Sequence, residues 1–167
     1  AVGPALPSRM SRPLAPSLLV SRISPPDWPV GLFLTRATSV SGQDEADFFQ
    51  AHAQRAGMDA AHCVATAHHK LVPGLLTADM ALFGEGVRDL HDCGFKVLEL
   101  QNQPDAVARL IDDLRRVSPI VGMSSMGPLV YAMGGNSTQW GAVAAQHEAW
   151  HTQTVVSAEP SEFTWLS

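Results

Sequence analysis

This sequence predicts an α+β fold in the ferredoxin-like order β-α-β-β-α-β, a two-layer sandwich with extra helices in the first crossover. Three observations carry that expectation. Val30 to Thr35 is a short apolar run between Pro29 and Arg36, the length and setting of a buried strand. Several stretches of helical periodicity then follow before the next β-like run. Finally, Ser118 to Met133 reads as strand, tight polar loop, strand, and is followed by a helical pattern and a β-rich closing run, Thr152 to Ser157.

Residues 1–24 read as a proline-rich lead-in segment or linker ahead of a domain over 25–167. Pro4, Pro7, Pro13 and Pro16 break any helix or central strand. Leu18-Leu19-Val20 and Ile23 suit a docking segment or a short added strand. With Pro25, Pro26 and Pro29 around Asp27-Trp28, this opening suggests the second half of a longer protein.

After the loop Thr38–Gly42, Ser41 is expected to cap a helix from Gly42 to about Ala56. Asp44 and Glu45 lie in its first turn, where the helix dipole favours negative charge. Phe48, Phe49 and His52 are its inward candidates, and Gly57 ends it. Asp59 is expected to cap a helix running to Val72 and closed by Pro73-Gly74. Thr77 is expected to cap another, whose Met80, Phe83, Val87 and Leu90 form one apolar stripe, with Gly94 as its C-cap. Phe95 to Leu100 fits an extended stretch or the end of a helical pair. Pro104 takes an N1-like position before the clearest amphipathic helix, with Val107, Leu110, Ile111, Leu114 and Val117 on one face. Gly134-Gly135-Asn136 is a turn. Trp140, Val143, Ala144, His147 and Trp150 or His151 then repeat at helical spacing.

The central stretch carries the chemistry. Ile120-Val121 and Leu129 to Met133 flank Gly122-Met123-Ser124-Ser125-Met126-Gly127-Pro128. Gly122 and Gly127 can take positive φ and admit a close backbone or ligand. Ser124 and Ser125 supply hydroxyls and N–H donors, and converging donors suit an anion or a carboxylate. A plain hairpin turn has the same composition. Met123 and Met126 fit either a pocket wall or core filling.

Composition narrows the classes. The net charge of −5, with no basic stripe, gives no reason to expect nucleic acid. No apolar run approaches the ~20 residues of a membrane span, and the first residues lack the pattern of a signal peptide. Cys63 and Cys93 are expected as free thiols in a reducing cytoplasm. Of the seven histidines, His62, His68 and His69 share one expected helix and His91 lies two residues from Cys93. No H-E-x-x-H or C-x-x-C spacing occurs, so no protein-ligated metal is expected. Lys70 and His69 are expected at the surface.

The pattern G-x-S-S-x-G-P before an apolar strand resembles the C-terminal glycine-rich loop of β-ribofuranosylaminobenzene 5′-phosphate synthases, members of the GHMP-kinase superfamily. The resemblance spans about residues 13–157. Trp28-Pro29-Val30 leads into a strand as in these enzymes. Val40 to Glu45 resembles their serine-glycine-acid turn, and Leu71 to Leu75 their leucine-proline-alanine-leucine segment, with Phe83-Gly84 following. Gln101 or Gln103 stands where they carry a glutamine.

The resemblance implies the C-terminal lobe of a GHMP-kinase-like fold. It also implies an enzyme joining phosphoribosyl pyrophosphate to an aromatic or heteroaromatic carboxylic acid with release of carbon dioxide and pyrophosphate. Mg²⁺ would enter on the pyrophosphate. Gly122, Met123, Ser124, Ser125, Met126, Gly127 and Gln101 are the implied substrate-binding residues, with Ser41, Gly42 and Glu45 near phosphate or magnesium. Met123 and Met126 stand where the aminobenzoate enzymes are expected to carry glutamine and tryptophan, which leans towards relatives that make C-nucleosides from heterocyclic carboxylates. The superfamily's main phosphate-binding loop belongs to an N-terminal half, so that half is an expected partner, together with a second copy in a homodimer. This chain alone is expected to be inactive. Two other readings stand beside this one: an ATP-dependent small-molecule kinase of the same superfamily, and a non-catalytic ferredoxin-like binding module.

Overall fold

The computed structural model describes residues 23–38 and 40–155. The lead-in 1–22, with its Leu18–Val20 strand expectation, and Ser157 lie outside the described residues.

Strand β1 (Pro29–Leu34) is the second from one edge of a four-stranded sheet of order β2-β3-β1-β4, where β2 is Ile120–Met123, β3 Leu129–Met133 and β4 Trp150–Val155. All three pairings are antiparallel. Pro29 sits at the first residue of β1, where a missing donor does least harm. The register pairs Phe33 with Val130, Met123 with Val130, and Val121 with Ala132. By the two-residue period of a strand, all five side chains therefore share one face. That face is covered by α6 (Asp105–Arg115) and α7 (Ser137–Gln146), through Val107, Leu110, Ile111 and Leu114 on one helix and Trp140, Val143 and Ala144 on the other. Trp140 is fully buried. It lies over Gly31, where a Cβ would come 2.8 Å from its ring, and its Nε1–H donates to Ser118 Oγ at 2.7 Å.

This is the α+β, ferredoxin-like plan that the sequence predicts, and its first crossover carries the extra helices. These are α1 (Gln43–Met58), α2 (Ala60–Thr66), α3 (Val72–Leu76), α4 (Met80–His91) and α5 (Gly94–Gln101). α4 lies against the start of β2, with Gly84 on the Pro119 carbonyl and the Arg88 guanidinium donating to that same oxygen at 3.1 Å. α1 docks on α5 through an edge-to-face contact of Phe49 and Phe95, ring centroids 4.9 Å apart.

Several helix ends differ from expectation, each for a local reason. Gly42, not Ser41, takes the N-cap position of α1, because its φ of 67° lies in the left-handed region that glycine enters freely. Pro73-Gly74 does not end the second helix. A π-helical turn, Ala67–Leu71, widens the ladder, and Pro73 then falls in the first turn of α3. The helix path therefore runs on to Leu76. Thr77 closes that path, its hydroxyl donating to Pro73 O at 2.8 Å, and Asp79 caps α4 by accepting from the Leu82 N–H at 3.0 Å. Asp59 precedes α2, but its carboxylate accepts from the Gly94 N–H at 2.9 Å. Gly94, at φ 60°, opens α5, while Asp92 is the C-cap of α4. Phe95 to Leu100 is thus the helical alternative. Pro104 occupies the N-cap position of α6 rather than N1. α7 stops at Gln146, so Trp150 and His151 belong to β4. Among the described residues, no helix is long and apolar enough to cross a membrane.

Candidate ligand-binding loop

Residues 124–128 join β2 to β3. The Ser124 N–H donates to Leu129 O at 2.9 Å and the Gly127 N–H to Ser124 O at 2.8 Å. Two of the amides that a converging anion site would use are therefore engaged in closing the turn, and Pro128 has none. Gly127 has φ 72° and Ser125 has φ 41°. The left-handed region is uncommon for a residue with a Cβ, so something must hold Ser125 there.

The holding group is Lys96 on α5. Its ammonium donates to Ser125 O at 3.0 Å and to Met123 O at 3.3 Å, and it is ion-paired with Glu99, itself only 5% exposed. Gln103, just past α5, donates from Nε2 to Met126 O at 2.7 Å, while its Oε1 is buried without a partner. From the other side, the Ser125 hydroxyl donates to Glu45 Oε1 at 3.4 Å. Two loop carbonyls, those of Ser125 and Met126, and that of Met123 at the end of β2 are thus held by side chains of the preceding helical region, and Ser124 and Ser125 stand exposed at the tip.

The sequence-predicted residues fall into distinct places. Gly122 is buried opposite Tyr131, where a Cβ would lie 2.2 Å from the phenol oxygen, so its glycine makes room for that ring. Met123 and Met126 are buried, at 3% and 2% exposure; Met126 fills the interior, while Met123 also faces a cavity behind the loop. Gln101 is exposed at the end of α5, and the glutamine that touches the loop is Gln103. Ser41 and Gly42 are exposed at the head of α1, from which Glu45 alone of the three reaches a loop side chain. Lys96 and Glu99 went unread in the sequence. Their signal was a charged pair three apart interrupting the apolar run Phe95–Leu100.

Behind the loop lies a cavity of about 280 Å³, walled by Leu71, Phe83, Val87, Leu90 and Phe95, with Met123, Tyr131, Lys96, His91 and both cysteines also on its surface. Burial, reinforced by the Arg115 guanidinium and then Lys96, lowers His91 to about 4, so this imidazole is neutral near pH 7. Arg115 Nη2 donates to His91 Nδ1 at 3.0 Å, which leaves the ring proton on Nε2. Burial likewise raises the Tyr131 phenol, keeping it protonated. Lys96 is the charged group on the cavity wall, and Glu99 balances it.

His62, His68 and His69 are exposed, and Lys70 pairs with Asp89 at 2.7 Å and Glu85 at 3.6 Å, tying the π-helical turn to α4. No group of three His, Cys, Asp or Glu side chains among the described residues gathers as a metal ligand set.

No family-wide sequence profile matches the chain. Among curated proteins, the β-ribofuranosylphenol 5′-phosphate synthase of Methanothermobacter thermautotrophicus is 31% identical over 130 residues, 77% of this chain and 40% of that protein. Its namesake from Methanocaldococcus jannaschii is 30% identical over 128 residues, again 77% of this chain and 38% of the relative. The chain is similar to these synthases over about three quarters of its own length, and it spans about two fifths of the length of the curated relatives it matches. Among solved structures, phosphomevalonate kinase of Streptococcus pneumoniae superposes with a TM-score of 0.59 at 14% identity, covering 81% of this chain and 43% of that one. Homoserine kinase of Cytophaga hutchinsonii gives 0.56 at 16% identity, covering 82% and 44%. At such identities these neighbours speak to fold alone, and the chain has the α+β fold of a GHMP-kinase-like C-terminal lobe.

Proposed function

We propose that this chain is one lobe of a decarboxylating C-riboside synthase, a transferase that joins phosphoribosyl pyrophosphate to an aromatic or heteroaromatic carboxylic acid. The observation that carries this reading is the similarity to ribofuranosylphenol phosphate synthases over 77% of the chain, together with a serine-bearing loop fixed from beneath by Lys96 and Gln103. The names of those relatives put a phenol on the ribose, which leaves the acceptor's ring substituent open to an amino, hydroxyl or ring-nitrogen donor.

In the proposed reaction the ring carbon bearing the carboxylate attacks the anomeric carbon. The anomeric C–O bond breaks and pyrophosphate leaves with its electron pair. The bond to the carboxylate then breaks, its electrons restore the aromatic ring, and carbon dioxide departs. The chain's own contribution is orientation. Ser124 and Ser125 offer hydroxyls at a tip whose backbone is held by bonds to the Ser125 and Met126 carbonyls and to that of Met123 just before it. Rigid placement of this kind is what raises the rate of a bimolecular step.

Glu45 beside Ser125 would repel a bare anion, so a pyrophosphate here needs a cation between them. Magnesium carried on substrate phosphates commonly takes only one or two protein carboxylates. Glu45 fits that role directly or through water, and the ion would supply charge neutralisation of the leaving group. The remaining catalytic groups would come from the part of the relatives that this chain does not span, and a homodimer and a cytoplasmic setting complete the proposal.

A hydroxyl bonded to a charged group is worth ~1.5–3 kcal/mol. The double variant Ser124→Ala/Ser125→Ala is therefore expected to slow turnover by about tenfold or more. Its melting temperature should stay close to that of the parent, since both side chains are exposed. Unchanged turnover would return the loop to a plain hairpin.

A further inference from the structure

Cys63 is half-buried on α2, and Cys93 is 7% exposed at the junction of α4 and α5. Both are free thiols, yet their sulfurs lie 3.3 Å apart across a separation of 30 residues. The approach is built into the backbone. The Asp59 carboxylate, immediately before α2, accepts from the Gly94 N–H at 2.9 Å, which holds the start of α2 against the start of α5. Gly94 has φ 60°, and a Cβ there would come 3.2 Å from Cys63 Sγ, so the glycine leaves the space that the sulfur occupies. Both cysteines also line the cavity behind the loop.

We propose that Cys63 and Cys93 are an oxidation site, a reversible thiol–disulfide pair that responds to hydrogen peroxide and fastens α2 to the α4–α5 corner at the cavity wall. A disulfide needs its sulfurs about 2.05 Å apart, so closure asks for a movement of only about 1 Å from the reduced arrangement.

The order of steps follows from exposure. Burial and the adjoining Cys63 thiol push the Cys93 thiol up to about 12, so Cys93 remains protonated and Cys63, the more accessible sulfur, meets the oxidant first. The Cys63 thiolate attacks peroxide. An S–O bond forms, the O–O bond breaks, and the departing hydroxide takes up a proton to become water. The Cys93 sulfur then attacks the Cys63 sulfenic acid. The S–S bond forms, the S–O bond breaks, and the hydroxyl leaves with the Cys93 proton as a second water. Two thiols are oxidised and one peroxide is reduced to two waters; a dithiol reductant reverses the bond.

The test treats the full protein with hydrogen peroxide and follows free-thiol content, intact mass, non-reducing peptide maps and melting temperature. The expected result is one linked peptide pair containing Cys63 and Cys93, with the intact mass lower by about 2 Da. Closing the loop between them should raise the melting temperature by roughly 5–10 °C, reversed by dithiothreitol. With Cys93→Ser, oxidation should stop at a Cys63 sulfenic acid that a cyclic diketone traps. The linked peptide from the parent protein is read without any variant, so a variant that fails to fold does not blunt the test. Two retained thiols, a Cys63 sulfinic acid with no cross-link, or a disulfide formed only between two molecules would each overturn the proposal.

Discussion

Lys96→Ala is expected to destabilise the protein by about 3–5 kcal/mol, the range found when one partner of a buried ion pair is removed. Glu99 would be left 5% exposed with no countercharge, and the Met123 and Ser125 carbonyls would lose their donor. Urea unfolding should show a lower midpoint at an unchanged slope. The double variant Lys96→Met/Glu99→Gln separates the two consequences. It removes the stranded charge and should recover much of the stability, but it cannot restore the bonds that hold Ser125 at positive φ. Turnover should therefore stay low in both variants. Equal destabilisation by the single and double changes would mean that Glu99 does not depend on Lys96.

Gly84→Val should cost about 3 kcal/mol or prevent folding outright, near the upper end of overpacking effects. A Cβ at this position would lie 2.3 Å from the Pro119 carbonyl oxygen. Backbone cannot swing aside as a side-chain tip can, so α4 would have to lift from the start of β2. Gly141→Ala in α7 is the matching control, since a Cβ there meets nothing within 4 Å. It should be neutral or stabilising by up to about 1 kcal/mol, the helical difference between the two residues. Thermal melts of the two variants side by side give the comparison. A Gly84→Val protein that melts with the parent would refute the close α4–β2 contact.

The sheet and its two covering helices were legible because their patterns are strong. Val107, Leu110, Ile111 and Leu114 keep helical period over a full face, and all four are buried against the sheet. The strand–loop–strand unit was legible because Gly127 and Pro128 punctuate it. Helix ends were less so, since several polar residues compete for each cap. Thr77 and Asp79 are two apart, and which one caps α4 depends on where the preceding helix stops. The π-helical turn has no local signature, and Pro73 follows it in the first turn of α3 instead of ending the helix.

The site was half legible for a different reason. Gly122, Ser124, Ser125 and Gly127 sit together in sequence, so the loop announces itself. Lys96, Glu99 and Gln103 lie well upstream in sequence, and only the fold brings Lys96 and Gln103 to the carbonyls of the loop and of Met123 before it. Gln101 and Gln103 were equivalent by pattern, and the end of α5 decides between them. The cysteine contact was hidden in the same way, since it depends on the turn at Gly94.

The most direct test of the central claim is pyrophosphate release by the full protein, with whatever portion completes it. It would be supplied with phosphoribosyl pyrophosphate, Mg²⁺ and a panel of aminobenzoic, hydroxybenzoic and heteroaromatic carboxylic acids. Pyrophosphate and carbon dioxide are expected in equal amounts, dependent on one acid of the panel, with a carbon-linked riboside phosphate as product. ATP consumption that depends on a sugar or alcohol, with no pyrophosphate released from any acid, would contradict it.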